Sequence, residues 1–241
     1  MINVEACING DTVSETLEGV RAANDGGAAT VELCGAMQHD GLTPPLECVE
    51  AARSVFEPKG LMVMIRPRAG GFLYSKDEVA TMKAQIVQAA KAGADGVVYG
   101  LLQADGSLDR GALVELVELS QSLGLATTFH RAFDAARDRL EALETLIDLG
   151  VDRILSSGVA WGESGSALDG VSKLNDVIRA ANGRLEVVIG GGVNPVNAPQ
   201  VLERLSPWTG SLGVHAYSGV RDGGRTMQSG VRDLVDAVAR W

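Results

Sequence analysis

The chain has 241 residues, of which 46% are hydrophobic and 30 are glycine. This length is enough for one large hydrophobic core, and the composition is typical of a compact α/β protein. The formal net charge of -10 at pH 7 argues against a nucleic-acid-binding protein, because phosphates require a basic face. The same negative charge argues against binding to an anionic membrane surface.

The cysteine content and the first residues of the chain predict the cellular compartment, which we expect to be a reducing one. Cys7, Cys34 and Cys48 are an odd number at wide spacing, so no disulfide framework is predicted. The opening MINVEACING is strand-like and lacks the basic and then apolar pattern of a secretory signal. No run of about 20 apolar residues predicts a membrane span. We therefore expect a cytoplasmic protein whose thiols stay reduced.

Short apolar segments alternate with longer helical patterns along the whole chain. Eight strands are predicted, at Ile2–Cys7, Ala29–Cys34, Leu61–Arg66, Gly96–Tyr99, Leu125–His130, Arg153–Ser156, Leu185–Ile189 and Gly210–His215. Eight helices are predicted, at Val13–Ala23, Pro45–Phe56, Lys76–Ala92, Arg110–Leu123, Arg139–Leu149, Leu168–Ala181, Pro195–Leu205 and Thr226–Arg240. This count and length predict a single-domain (β/α)8 barrel of the TIM type over residues 1–241. A doubly wound open sheet is the structural alternative.

In such a barrel the functional site lies at the carboxyl ends of the strands. Strand side chains alternate between two faces, and a carboxylate under the helices would be buried without a partner. Polar residues near the strand ends are therefore expected to face the barrel interior. Those expected at this mouth are Glu5, Cys7, Glu32, Cys34, Arg66, His130 and His215.

The third predicted strand runs into MIRPRAGGFLYS, residues 64–75. Pro67 favours the end of the strand, and the flanking Arg66 and Arg68 are suited to clamp a carboxylate or phosphate. Two alternatives stay open. One is a capped strand end with surface arginines, and the other is an interior salt bridge from Arg66 to Glu5 or Glu32. The place of the Arg66–Arg68 segment at the end of the third barrel strand favours the anion clamp.

The fifth predicted strand ends in FHRAFD, where Asp134 lies within a turn of His130. A carboxylate at that spacing can orient a histidine, so the pair is predicted to be a general acid/base. Arg131 is predicted to contact a substrate. Tyr99 and Ser157, at the ends of the fourth and sixth strands, are predicted to do the same.

A glycine turn follows the seventh predicted strand. Its members Gly191 and Gly192 precede Asn194 and Pro195, a good helix N-cap and first helical residue. Exposed amide groups in such turns can hold an anion, and the turns after strands seven and eight often do so in these barrels. A phosphate or carboxylate site between this turn and the glycine- and arginine-rich loop after the last strand is therefore predicted. Plain turn chemistry is the alternative.

Several motifs occur in one order along nearly the whole chain. They are VEAC (Val4–Cys7), VELC (Val31–Cys34), GLTPP (Gly41–Pro45), MIRPRAGGFLYS, GADGVVYG (Gly93–Gly100), TFHRAFD (Thr128–Asp134), RILSSG (Arg153–Gly158) and the turn Gly190–Gly192. In these motifs the chain resembles the CutC family, the proteins named for copper homeostasis. The resemblance implies a (β/α)8 barrel and attributes copper binding to two cysteines on the first two strands, which match Cys7 and Cys34. The chain departs from the family pattern at Ile189 and at Val214–Ser218.

Two functions from different classes follow. The first is Cu(I) binding by Cys7 and Cys34, which the resemblance implies and soft thiolate ligands suit. The alternative is a barrel enzyme acting on a small anionic or sugar-like molecule. Its clamp would be Arg66 and Arg68, and its acid/base or divalent-metal-ligand groups would be Glu5, Glu32, His130, Asp134 and His215. The residues leave isomerase, lyase and hydrolase open. A structural scaffold ranks third, and a homo-oligomer is expected.

Overall fold

The computed structural model describes residues 2–241, in which eight parallel strands close into a barrel in chain order. Strand β8 pairs with β1 and completes the closure. The strands are β1 Asn3–Asn9, β2 Thr30–Cys34, β3 Leu61–Met64, β4 Gly96–Tyr99, β5 Ala126–Phe129, β6 Arg153–Ser156, β7 Glu186–Ile189 and β8 Leu212–Ala216. The predicted (β/α)8 barrel is confirmed, and the open sheet is excluded because the sheet has no edge.

Eight helices surround this barrel. They are α1 Val13–Gly26, α2 Leu46–Val55, α3 Lys76–Lys91, α4 Arg110–Ser122, α5 Arg139–Asp148, α6 Val171–Ala181, α7 Asn197–Glu203 and α8 Gln228–Val238. A short hairpin that was not predicted, β9 Arg221–Asp222 with β10 Arg225–Thr226, lies between β8 and α8. None of the helices within residues 2–241 combines the length and apolar character needed to cross a membrane.

Repeated Gly-x-Asp turns join the helices to the strands at the amino-terminal end of the barrel. Asp95 accepts hydrogen bonds from the amides of Gly60 and Leu61, at 2.8 and 3.0 Å, and thereby links β4 to the start of β3. Asp152 accepts a hydrogen bond from the Thr127 amide at 2.8 Å and links β6 to β5. These carboxylates fix the strand register at the amino-terminal end of the barrel, so the carboxyl ends of the strands are also held in place.

The barrel interior is divided into two chemically different layers. A small sulfur-rich cluster, separate from the core under the helices, contains Cys7, Cys34, Met62, Met64 and Val98. An ionic layer lies beside it toward the amino-terminal end of the barrel. There the Arg153 guanidinium bonds to the carboxylates of Glu5 at 2.7 Å and Glu186 at 3.0 Å. The interior salt bridge considered from the sequence therefore exists, but its cation is Arg153 and not Arg66.

Removing the cation of this ionic layer is expected to destabilise the whole barrel. In Arg153→Met, the buried carboxylate of Glu5 and the partly buried carboxylate of Glu186 lose their guanidinium partner, which costs about 3–5 kcal/mol of unfolding free energy. Urea denaturation measures this loss. The matched control is Arg184→Met, which breaks the exposed pair with Glu144 and should change stability little. Equal losses in the two variants would contradict the role of the ionic layer.

Candidate functional site

A cavity of about 370 Å³ opens at the carboxyl ends of the barrel strands. Half of the predicted site residues line it, namely Cys7, Glu32, Cys34, Arg66, His130, Arg131 and His215. The rest of the wall is largely apolar and comes from loops and strand ends, with Met37, Met64, Phe72, Leu155, Trp161 and Tyr217 among its members. We call this space the mouth cavity.

Two buried thiols lie at the base of the mouth cavity. The Sγ atoms of Cys7 and Cys34 are 3.9 Å apart, and Cys34 donates a hydrogen bond to Glu32 Oε2 at 3.4 Å. The register of β1 and β2 pairs Cys7 with Glu32 and Asn9 with Cys34, so the two thiols approach each other diagonally across adjacent strands. Ligand atoms of Cys7, Glu32 and Cys34 all lie within 4.8 Å of one another. The predicted inward orientation of these residues is confirmed.

His215 connects the thiols to the ionic layer. Its Nδ1 lies 3.0 Å from Glu5 Oε1, and its Nε2 lies 3.8 Å from Glu32 Oε2. Glu5 does not line the mouth cavity, because its second oxygen accepts hydrogen bonds from Arg153 at 2.7 Å and Thr30 at 3.0 Å. Although Glu5 lies within ligand distance of Glu32 and His215, its main contact is the ion pair.

Burial and neighbouring charges shift the pKa values of these groups in opposite directions. Burial raises the pKa of Glu5, but the Arg153 charge and His215 outweigh it and hold that pKa well below its usual range. Burial raises the pKa of Glu32 to about 8, against the opposing charge of His215. Burial lowers the pKa of His215, but Glu32, Cys7 and Glu5 raise it well above its usual value.

The two thiols are therefore inequivalent. The hydrogen-bonded contact with Cys34 lowers the pKa of Cys7 to about 6 despite burial, and His215 adds to that effect. The contact with Cys7 and burial raise the pKa of Cys34 well above its usual value. At neutral pH one thiolate therefore lies beside one thiol and an imidazolium.

The predicted pairing of His130 with Asp134 is wrong. Asp134 accepts hydrogen bonds from Arg131 Nε at 2.9 Å, the Ser156 hydroxyl at 2.6 Å and the Ser157 amide at 3.0 Å, and none from His130. It fixes the loop after β5 to the end of β6. The imidazole of His130 instead accepts a hydrogen bond from a backbone amide, that of Ala132, at 3.0 Å.

The structure does not bring the two guanidiniums of the predicted anion clamp together, because each is held by a different part of the protein. Arg66 donates from Nη1 to the carbonyls of His39, Asp40 and Gly41, and from Nη2 to that of Gly70 at 2.8 Å. It therefore ties the loop after β2 to the loop after β3. Arg68 lies outside the mouth cavity, where it pairs with Glu78 and packs over the Tyr74 ring at 4.8 Å. The two side chains bind different surroundings, so they do not form one fork.

Two further predicted substrate contacts lie away from the mouth cavity. Val98 belongs to the interior cluster, so strand alternation turns Tyr99 outward, where its side chain is fully buried in the core under the helices. Ser157 is buried, and its hydroxyl contacts Asp134 at 3.1 Å and Arg131 at 2.8 Å. Ser157 therefore helps to position Arg131, and Tyr99 packs the core.

Gly191 and Gly192 make loop contacts instead of lining the mouth cavity. The Gly191 carbonyl accepts a hydrogen bond from Ala167 at 2.9 Å, and the Gly192 carbonyl accepts one from the Asn197 side chain at 2.8 Å. The loops after β7 and β8 pack directly on each other, since a Cβ added to Gly219 would lie 2.1 Å from the Val193 carbonyl. The geometry thus favours plain turn chemistry over the predicted anion site.

Sequence reasoning missed Arg153 and three aromatic side chains of the mouth cavity. The ring centres of Phe72 and Trp161 are 5.1 Å apart. The guanidinium carbon of Arg131 lies 5.3 Å from the centre of the Trp161 ring, and that of Arg221 lies 4.5 Å from the centre of the Tyr217 ring. Alternation along β6 could have found Arg153, because it shares a face with Leu155. No periodic signal marks the aromatic residues, since they come from irregular loops.

The fold and the site together define a (β/α)8 barrel with a buried thiol pair and a histidine–carboxylate cluster at its mouth. A model of the CutC family matches residues 2–220. The "family protein CutC" of Glaesserella parasuis is 41% identical over 203 residues, covering 84% of this chain and 78% of that protein. The "Copper homeostasis protein cutC homolog" of Mus musculus is 41% identical over 201 residues, covering 83% of this chain and 69% of that protein.

Solved structures agree with this result. The crystal structure of the putative copper homeostasis protein CutC from Streptococcus agalactiae matches with a TM-score of 0.78 and 28% identity, covering 89% of this chain and 98% of that chain. The chain belongs to the CutC family, and the resemblance seen in its motifs is confirmed. The match of the family model ends at residue 220, just before the hairpin of β9 and β10.

The inequivalence of the thiols predicts one thiolate at neutral pH. Because the pKa of Cys7 is lowered to about 6, the ultraviolet absorbance of a thiolate should rise as the pH increases through that value. The Cys7→Ser variant should lose this step. Cys48→Ser is the matched control and should keep it, since burial raises the pKa of Cys48. A titration of the metal-free protein with no step below about pH 8 would contradict this assignment.

Proposed function

We propose that this protein binds Cu(I) through the sulfur atoms of Cys7 and Cys34 at the mouth of the barrel. The observation that carries the proposal is the 3.9 Å separation of two buried thiols on adjacent strands. Metal–thiolate bonds are about 2.3 Å long, so one ion can bond to both sulfurs at this separation. Soft thiolate ligands select Cu(I) over the hard cations.

The surroundings of the thiols offer a further donor. Glu32 Oε1 is buried and has no hydrogen-bond partner among residues 2–241, although its other oxygen contacts Cys34. His215 Nε2 faces the same group. Either side chain could complete the ligand set without a change of backbone. An orphaned carboxylate oxygen beside two thiols fits a site built to receive a cation.

A soft ion fits this donor set better than a hard divalent ion. A carboxylate–histidine group of Glu5, Glu32 and His215 is also close enough to hold a metal. The carboxylate of Glu5, however, is already neutralised by Arg153, and a metal there would compete with that ion pair. The thiol pair has no such competitor. In the reducing cytoplasm, where we propose that the protein acts, both thiols would stay available to copper.

We propose metal binding in place of turnover as the function. The enzymatic alternative required Arg66 and Arg68 to hold an anion and Asp134 to orient His130. Asp134 contacts Ser156 in place of His130, and Arg68 pairs with Glu78 away from Arg66, so those roles lose their geometric support. The names of the mouse and Streptococcus agalactiae relatives, which refer to copper homeostasis, favour the same choice.

Direct titration with Cu(I) tests the proposal. The reduced protein should bind one ion in competition with a Cu(I) chelator, and the double variant Cys7→Ser, Cys34→Ser should lose that ion. Cys48→Ser is the matched control, because Cys48 is also buried but lies on α2 away from the other two thiols. Binding by the double variant that equals wild type would refute the proposal.

Copper binding should also release protons. Both sulfurs must bind as thiolates, and the raised pKa of Cys34 means that its proton must leave when the metal enters. We expect release of at least one proton per ion at neutral pH, and an apparent affinity that falls about tenfold for each unit of acidification. Calorimetry in buffers of different ionisation enthalpy measures the release. Binding without proton release would mean that Cys34 is not a ligand.

A further inference from the structure

His130 lies across the mouth cavity from the thiols, at the end of β5, and its ring is held in one orientation. Its Nδ1 accepts a hydrogen bond from the Ala132 amide at 3.0 Å. The ring also packs against Gly100, where an added Cβ would lie 2.5 Å from the Cε1 atom of His130. A nitrogen that accepts a hydrogen bond carries no proton, so the single proton of the neutral ring is on Nε2.

That second nitrogen has no partner in the protein. Nε2 of His130 is buried and makes no hydrogen bond within residues 2–241, although the side chain lines the mouth cavity and is only 5% exposed. Buried N–H groups are nearly always satisfied, and the exceptions mark strained or functional groups, or groups that bind a water or an ion. The donor without an acceptor therefore belongs to a side chain that lines an open cavity.

The ring is uncharged. Burial lowers its pKa to about 3, and the positive charge of Arg66 contributes to the decrease. Arg66 is held in place by four backbone carbonyls, so its charge is a permanent neighbour. The Phe72 ring, centred 5.0 Å away, packs against the imidazole at an interplanar angle of 52°. An imidazole in these surroundings is a poor base but a competent hydrogen-bond donor.

The shape and chemistry of the cavity limit what can meet this donor. Its volume of about 370 Å³ suits a small organic molecule. Phe72, Trp161 and Leu155 offer apolar surface to the body of such a molecule. The Arg131 guanidinium, stacked on Trp161 and ion-paired with Asp134, offers N–H donors on the same wall. Carbonyl and carboxylate compounds combine a small apolar body with strong oxygen acceptors.

We propose that the mouth cavity binds a small carbonyl or carboxylate compound, one oxygen of which accepts a hydrogen bond from Nε2–H of His130. His130 then selects its ligand as a neutral donor and does not transfer protons. The Arg131 side chain, which Asp134 and Ser157 hold in position, lines the same cavity. The inference does not depend on copper, because it concerns a different wall of the cavity from the thiols.

Nitrogen NMR of the three histidine rings in the metal-free protein tests the donor directly. The His130 ring should show a protonated Nε2 and an accepting Nδ1, unchanged between about pH 5 and 8. An imidazolium signal, or a ring protonated at Nδ1, would overturn the proposal. This measurement uses the wild-type chain, so it does not rely on a variant that folds.

Ligand titration tests the acceptor, with pyruvate and benzoate as probes and toluene as the control without oxygen. Both acids should bind at millimolar concentration and shift the Nε2 resonance of His130, whereas toluene should not. His130→Phe removes the donor but keeps a ring, and should weaken binding about tenfold. His130→Gln restores an N–H near the position of Nε2 and should stay within about threefold of wild type.

Each other outcome counts against the proposal. If neither acid shifts the Nε2 resonance, or if toluene shifts it equally, the nitrogen does not meet a ligand oxygen. If His130→Phe is folded and binds the acids as tightly as wild type, the donor has no part in recognition. Loss of Cu(I) binding in the cysteine variants would not affect any of these results, so failure here and failure of the copper site are distinguishable.

Discussion

The ion pair between Arg153 and Glu5 is the interaction on which the rest of the mouth depends. Both side chains are almost completely buried, so neither could keep its charge without the other. The paired carboxylate of Glu5 then holds Nδ1 of His215, which directs Nε2 of that ring toward Glu32 and the thiols. An interaction deep in the barrel therefore decides where the imidazole lies and which atoms a metal would meet.

The same arrangement explains why the cluster can receive a cation. The carboxylates of Glu5 and Glu186 share one guanidinium, that of Arg153, while the imidazolium of His215 faces the thiolate of Cys7. Glu32 stays protonated near neutral pH because burial raises its pKa to about 8. A monovalent soft ion could replace the protons of Cys34 or Glu32 without adding charge to the interior.

Strand alternation predicted this part of the site well, because alternation is local and β1, β2 and β8 are regular. It placed Cys7, Cys34 and His215 on the inner face, as the structure has them. It could not predict the loops, since a guanidinium such as Arg66 can bind any carbonyl that the tertiary fold brings near. Spacing alone paired Asp134 with the nearest histidine, whereas the fold supplies Arg131 and two serines as partners. The choice of partner there is a long-range property.

The two walls of the mouth cavity have different origins and different chemistry. The wall from β1, β2 and β8 is ionisable and sulfur-rich, and strands fix it from within the barrel. The opposite wall, from the end of β5 and the loop after β3, carries the neutral donor His130 under Phe72. Arg66 joins the two sides because it anchors the loop after β2 to the loop that carries Phe72. A small oxygen ligand on the second wall would thus lie in the same cavity as a metal on the first, and the loops tied by Arg66 would set the distance between them.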